Sequence, residues 1–113
     1  MTKRIPRVNK LIKKELSQIL LREVEFPSGV LVTITRVEAS SNLGEAKIYV
    51  SVMPEHLISR VFQILNRQIY EIQQALNKRL KMRPVPRIRF IQELKAKEAG
   101  RIEELLEKIK ENH

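Results

Sequence analysis

The sequence contains no cysteine, only two histidines and only three glycines among its 113 residues. A chain without cysteine forms no disulfide, thiol nucleophile or Cys-based zinc site. The histidines, His56 and His113, do not stand at ligand spacing, so we expect no metal site. The glycines are too widely separated for a phosphate-binding loop, and no Gly-x-Ser-x-Gly nucleophile motif occurs. The sequence therefore predicts a protein that is not an enzyme and holds no cofactor.

Long apolar runs are also missing. Uninterrupted apolar stretches reach only a few residues, whereas a membrane-spanning helix needs about 18. The first residues are charged and lack the apolar core of a signal peptide. We therefore expect a cytoplasmic protein that does not bind membranes. The chain has the length of one domain, which is enough for one hydrophobic core without disulfides or metals.

What the sequence has in excess is positive charge. It carries 22 Lys and Arg residues against 13 acidic ones, a net charge of +9. Residues 1–92 hold 17 basic and 7 acidic side chains, whereas residues 93–113 hold 5 and 6, so the excess belongs to the body of the chain. Such a field attracts RNA, DNA or an acidic membrane surface. The alternative, a heat-adapted protein with many surface charges, explains the abundance of charge but not its sign.

Hydrophobic spacing and turn residues predict an α+β domain. The predicted order is helix, strand, strand, long helical segment, strand and helix, over residues 8–23, 30–38, 45–52, 55–80, 87–92 and 97–110. The first two strands should pair as an antiparallel hairpin, and the helices should cover one face of a three-stranded sheet. A straight helix over 55–80 would be about 39 Å long, so we expect a bend or two helices there.

Two groups of basic residues are candidates for RNA contact. Arg7, Lys10 and Lys14 recur at helical spacing on the first helix, opposite its apolar face. The second group runs from the end of the long helical segment into the last strand and contains no acidic residue: Lys78, Arg79, Lys81, Arg83, Arg87 and Arg89. The prolines within it stiffen a connector suited to a phosphate backbone. For the first three residues of this group there is an alternative explanation that needs no RNA, since the helix dipole favours positive charge near a helix C-terminus.

Few aromatic residues are available for reading bases. Phe62 and Phe90 are expected in the core. Tyr49 alternates onto the polar face of the second strand, where it could stack on a base or simply edge the core. This scarcity favours recognition of RNA backbone and shape over recognition of individual bases.

Several stretches of the sequence resemble the ribosome-binding factor A family. They comprise Arg7-Val8 with Ile12, Glu15-Leu16 and Ile19-Leu20, then Thr33–Ser40, Leu43–Val52 and Arg83–Phe90, with Gly100–Ile102 and Leu105-Leu106 following. The pattern Val-Glu-x-Ser followed by Leu-x-x-Ala-Lys-x-Tyr-Val-Ser is specific, whereas any one piece alone would be weak. The resemblance covers nearly the whole chain.

This resemblance implies a type II K-homology-like fold over residues 1–95, with an amphipathic C-terminal helix over 96–113 packed on or beside it. It implies a factor that binds the small (30S) ribosomal subunit and its 16S rRNA during late maturation, assists 5′-end processing and supports growth in the cold. In many members a GTPase releases the factor; we expect a monomer. The Gly-x-x-Gly loop of ordinary K-homology domains is missing, and Gln68-Ile69-Tyr70 stand at the corresponding helix break, which predicts a mild kink.

Two other functions remain open at this stage. A generic K-homology-like RNA chaperone would bind free single-stranded RNA as well as it binds ribosomal subunits. A small interaction module would instead use the apolar face of the C-terminal helix to bind a protein, through Ile102, Leu105, Leu106 and Ile109.

Overall fold

Residues 4–94 are described by a computed structural model of the chain, and their elements follow the predicted order. The elements are α1 (Arg4–Glu23), β1 (Leu31–Ala39), β2 (Glu45–Met53), a short 3-10 turn (Glu55–Leu57), α2 (Ile58–Arg67), α3 (Ile69–Arg79) and β3 (Arg87–Gln92). The predicted α+β class with a three-stranded sheet is confirmed. Helix α1 begins four residues earlier than predicted, because Pro6 lies in the first turn, where its missing N–H is not needed. The helix predicted over 97–110 lies outside the described residues.

The sheet has the order β1-β2-β3, with β2 in the centre. Strand β1 pairs antiparallel with β2, which confirms the predicted hairpin, and β3 runs parallel to β2. A parallel pair needs a crossover connection, and here α2 and α3 provide it. Helix α1 packs on β1, while α2 and α3 pack against β2 and β3. The helices therefore cover one face of the sheet, and its other face carries none of the described helices.

The core is built from aliphatic side chains of every layer. Ile12 and Leu16 of α1, Ile48 of β2, Leu65 of α2 and Leu76 of α3 are fully buried. Each such side chain stabilises the fold by about 1.5–3 kcal/mol relative to leaving it in water. Every buried residue between 4 and 94 is apolar or a proline, so the charged side chains of this part of the chain all reach the surface at least partly.

The predicted bend between 55 and 80 lies at Gln68. This residue has φ −101° and ψ 11° and separates α2 from α3. Its N–H donates to the carbonyl of Ile64 at 3.1 Å, and its carbonyl accepts the N–H of Ile72 at 2.9 Å. Because hydrogen bonding continues on both sides, the break is confined to one residue, as expected for a junction without glycine.

Arg79, at the end of α3, ties this helix to α1. Its Nη1 atom donates to Gln18 Oε1 at 3.0 Å and to Glu15 Oε1 at 3.3 Å, and its Nη2 atom lies 3.8 Å from Glu23 Oε2. The Arg79 and Glu15 side chains are 25% and 18% exposed, so this network lies partly shielded from water. It fixes the two helices side by side.

A β-bulge at Thr35 sets the orientation of the second half of β1. Ile34 pairs with Val50 and Arg36 pairs with Tyr49, so Thr35 is an extra residue in the ladder. The bulge shifts the inward–outward alternation of side chains along β1 by one residue, so Val37 points to the core as Ile34 does. Arg36 then lies on the face of the sheet that carries none of the described helices, which we call the open face.

On that open face Arg36 joins β1 to β2 and to Glu93, the residue that follows β3. Its guanidinium lies 3.6 Å from the centroid of the Tyr49 ring. Nε donates to Glu93 Oε1 at 3.0 Å, Nη1 donates to Glu38 Oε2 at 2.6 Å, and the Tyr49 hydroxyl donates to Glu38 Oε1 at 3.0 Å. The Thr35 hydroxyl also donates to Glu93, at 3.1 Å. The hydrogen bond to Glu93 raises the pKa of Arg36.

The Arg79 network predicts a stability difference between neighbouring cations. Replacing Arg79 by methionine should lower the free energy of unfolding by about 1 kcal/mol, because it removes a partly shielded ion pair and leaves Glu15 without its cation. Lys78→Met is the matched control, since Lys78 is exposed and makes no ion pair within residues 4–94. Urea unfolding of both variants measures the difference; equal stabilities would contradict a bridging role for Arg79.

Tyr49 should lose its phenol proton at a higher pH than an ordinary tyrosine. Desolvation first, and then the hydrogen bond and charge of Glu38, raise the pKa of Tyr49 above its usual 10.0. The folded state then holds the phenol proton more tightly, so this stabilisation is fully present below pH 10.0 and is lost as pH rises through the folded pKa. Phenolate absorbance in a Tyr70→Phe chain measures it. Glu38→Gln should lower the Tyr49 pKa, and an unchanged titration curve would contradict the assignment.

Candidate nucleic-acid interface

The first group of predicted cations lies on the outward side of α1. Arg7, Lys10 and Lys14 are exposed, whereas Val8, Ile12 and Leu16 on the opposite side are buried. None of the three cations forms an ion pair with another residue of the described chain. The helix therefore presents a stripe of free positive charge to solvent, as predicted; we call Arg7, Lys10 and Lys14 the α1 stripe.

The second predicted group divides in the structure. Lys78 and Lys81 are exposed and make no ion pair within residues 4–94. Arg79 is held by the carboxylates of α1, so its charge is partly neutralised. Arg83 donates from Nη1 to the carbonyls of Leu80 and Met82, at 2.8 and 2.6 Å, and so fixes the turn after α3.

The turn after α3 lies beside the beginning of α1. Arg4 and Ile5 line one cleft together with the β1–β2 loop and with Met82, Arg83 and Pro84. The N–H of Arg87 donates to the carbonyl of Gly44 at 3.0 Å, which joins the start of β3 to the same loop. Arg4 at the start of α1 and Arg83 after α3 thus lie at one end of the domain, although they are some 80 residues apart in sequence. Lys78 lines a different cleft, together with Glu23 and Glu71.

Arg87 and Arg89 lie elsewhere. They alternate with the buried Ile88 and Phe90, so their exposed side chains project from the open face of the sheet, on the side away from the helices. One flat surface cannot contact both this pair and the α1 stripe. An RNA strand that touched all of the predicted residues would have to pass around the end of the domain formed by the connector.

Two further cations, Arg4 and Lys47, belong to these surfaces but were not among the residues predicted to contact RNA. Arg4 is exposed and lines the cleft with Arg83. Lys47 is exposed on the open face and is the register partner of Arg89. The alternation of β2 had placed Lys47 on the polar face, but which cations stand next to it depends on the pairing of β2 with β3.

The α2–α3 junction offers no phosphate-binding loop. Gln68 occupies the break, and the neighbouring Tyr70 is 70% exposed. Within residues 4–94, no group of His, Cys, Asp or Glu side chains is placed to hold a metal ion. A search of the same residues finds no helix long and apolar enough to span a membrane.

Comparison with known proteins agrees with these features. A family model described as ribosome-binding factor A matches residues 4–106. Ribosome-binding factor A of Akkermansia muciniphila is 34% identical over 112 residues, which are 99% of this chain and 89% of that protein. Ribosome-binding factor A of Halothermothrix orenii is 36% identical over 109 residues, covering 96% and 89% of the two chains.

Solved structures show the same fold. The solution structure of a Thermotoga maritima protein, a putative ribosome binding factor A, gives a TM-score of 0.62 at 32% identity and covers 76% of this chain and 83% of that one. The crystal structure of ribosome-binding factor A from Thermus thermophilus gives 0.66 at 21% identity, over 78% and 93%. A Thermus thermophilus homology model fitted into a cryo-EM map of a 30S–RbfA complex gives 0.62 at 26% identity, over 75% and 90%. From the family model and these relatives, the chain belongs to the ribosome-binding factor A family.

Proposed function

We propose that this chain is a non-enzymatic assembly factor that binds the small (30S) ribosomal subunit in the cytoplasm. Through contacts with 16S rRNA it would assist late maturation and 5′-end processing, with its greatest effect at low temperature. The family membership supports this proposal, as does the likeness to the Thermus thermophilus factor that was fitted into a 30S complex.

The observation that carries the proposal is the unpaired positive charge of α1 and of the chain around the end of α3; we call the α1 stripe together with Lys78 and Lys81 the cationic end. These five side chains are exposed and make no ion pair within residues 4–94, and Lys78 lines a cleft with Glu23 and Glu71. RNA phosphates can replace the counterions around such side chains, and the released counterions provide binding free energy. Exposed lysines and arginines of this kind recognise the position of a backbone, not the identity of its bases.

The mechanism we infer uses binding energy alone. A ligand shifts a conformational equilibrium only by the difference in its affinity for the two states. Cations spaced by the rigid backbone of α1 and of the connector would bind one arrangement of the rRNA more tightly than its alternatives. That arrangement would then be populated long enough for the next maturation step.

The described topology supports a type II K-homology-like fold, since a helix and a β-hairpin precede the helix–helix–strand unit. With Gln68 at the α2–α3 junction in place of a glycine loop, we place the main RNA contact on the cationic end and not at the junction. We further propose that the chain acts as a monomer and that an assembly GTPase releases it. The segment 96–113 is proposed to pack on or beside the domain.

Selective binding to small subunits is the first expected result. Purified protein should co-sediment with isolated small subunits, and much less with large subunits or naked RNA. Its affinity should fall linearly with salt on a double-logarithmic scale, because each phosphate contact contributes a slope of about 0.9. Equal binding to naked RNA would instead indicate a generic RNA chaperone, and no binding at low salt would contradict the proposal.

Charge reversal tests the assigned end of the domain. The double variants Lys10→Glu/Lys14→Glu and Lys78→Glu/Lys81→Glu should each weaken binding to small subunits by about tenfold or more and reduce the salt slope by about 2. Arg60→Glu/Arg67→Glu on α2 changes the net charge equally at exposed positions outside both groups, so it controls for the overall field. If all three double variants bind alike, the cationic end is not the contact surface.

A further inference from the structure

The open face of the sheet carries a stacked arginine–tyrosine pair that the cationic end does not use. Arg36 lies over Tyr49, with 3.6 Å between its central carbon and the ring centroid. Glu93 accepts from its Nε and Glu38 from its Nη1, and Glu38 also accepts the Tyr49 hydroxyl. The guanidinium is therefore held in a fixed plane along its edge and on one of its two faces.

The Arg36 side chain remains partly open to solvent, and hence to a flat ligand. The Arg36 side chain is 34% exposed, although its edge is occupied by two carboxylates and one face by Tyr49. Arginine planes stack on unpaired bases in RNA recognition. Because the side chain is already ordered, stacking here would cost little additional conformational entropy.

Basic side chains that can bind a phosphate lie next to the Arg36 guanidinium. Glu38 and Glu93 exceed the charge of Arg36 by one, and Glu45 is a third carboxylate on the open face. With Lys47, Arg87 and Arg89 this face has four cations against three carboxylates, a net charge of +1. Lys47 and Arg89 are register partners on β2 and β3, and both are exposed. Lys47 is two residues from Tyr49 along β2, a distance of about 6.6 Å. A base on Arg36 and a phosphate between Lys47 and Arg89 are thus within the reach of one nucleotide.

We propose that the open face of the sheet binds an unpaired nucleotide of single-stranded RNA, with the base stacked on Arg36 and the phosphate at Lys47 and Arg89. The identification of that RNA as 16S rRNA rests on the proposed function, whereas the chemistry of the surface does not. Recognition by stacking favours larger ring systems, so the face should bind purine strands more tightly than pyrimidine strands.

The test uses the full chain with short oligoadenylate and oligouridylate. In isotope-labelled protein, oligoadenylate should move the Nε–H resonance of Arg36 upfield through the ring current of the stacked base, while that of the exposed Arg60 on α2 stays in place. Arg36→Lys, which keeps the charge and loses the plane, should weaken oligoadenylate binding about fivefold or more and remove the purine preference. Arg60→Lys is the matched control and should bind like the unmodified chain.

Because Arg36 also links β1 to β2 and to Glu93, its replacement could affect folding, which thermal unfolding would show. Lys47→Gln/Arg89→Gln leaves the stacked pair intact, so it should weaken both oligonucleotides while preserving the purine preference. An Arg36 resonance that stays in place at saturating oligoadenylate overturns the proposal. Absence of oligonucleotide binding overturns it as well.

Co-sedimentation with small subunits separates this proposal from the function proposed above. A chain that fails to bind small subunits but shows the Arg36 shift and purine preference would overturn the ribosomal function and support the nucleotide site. A chain that binds small subunits normally but shows neither effect would overturn the nucleotide site alone.

Discussion

The rest of the described structure depends on the burial of one face of the central strand β2. Ala46, Ile48, Val50 and Val52 point from that strand into the helical layer and are almost fully buried. Strand geometry then forces the intervening residues onto the opposite face. The same contact therefore holds the helices to the sheet and determines which side chains of β2 remain available for binding.

Because the core is entirely apolar, the charged residues of the described chain lie at the surface. Some of them connect elements, as Arg79 connects α3 to α1, whereas others project into solvent without an ion-pair partner in the described chain. Unpaired cations raise affinity for phosphates while contributing little to folding. The cationic end offers separate charges that follow a phosphate backbone of any sequence, whereas the open face offers a rigid plane that can distinguish stacked purines from pyrimidines. Since β3 begins beside the β1–β2 loop, which lines one cleft with Arg4 and Arg83, a strand of RNA leaving one surface could continue onto the other.

The α+β class, the hairpin, the bounds of β3 and the apolar faces of the described helices could all be predicted from the sequence. These features follow from periodicities of 3.6 and 2, which local spacing reveals. It also indicated the α1 stripe, because opposite sides of one helix can be assigned from spacing alone. The alternation of Arg87 with Ile88 already puts the two side chains on opposite faces of the sheet. That the face of Arg87 lies away from the α1 stripe follows only once it is known which face the helices cover.

Which cations have partners, and which lie together, depends on how the helices and strands pack. Arg79 and Lys78 are adjacent in sequence and alike in type, yet only Arg79 meets the carboxylates of α1, because helix packing joins residues some 60 positions apart. The bulge at Thr35 likewise shifts the alternation of β1 by one residue and brings Arg36 over Tyr49. Local spacing does not reveal this shift, because only strand pairing with β2 fixes where the extra residue is accommodated.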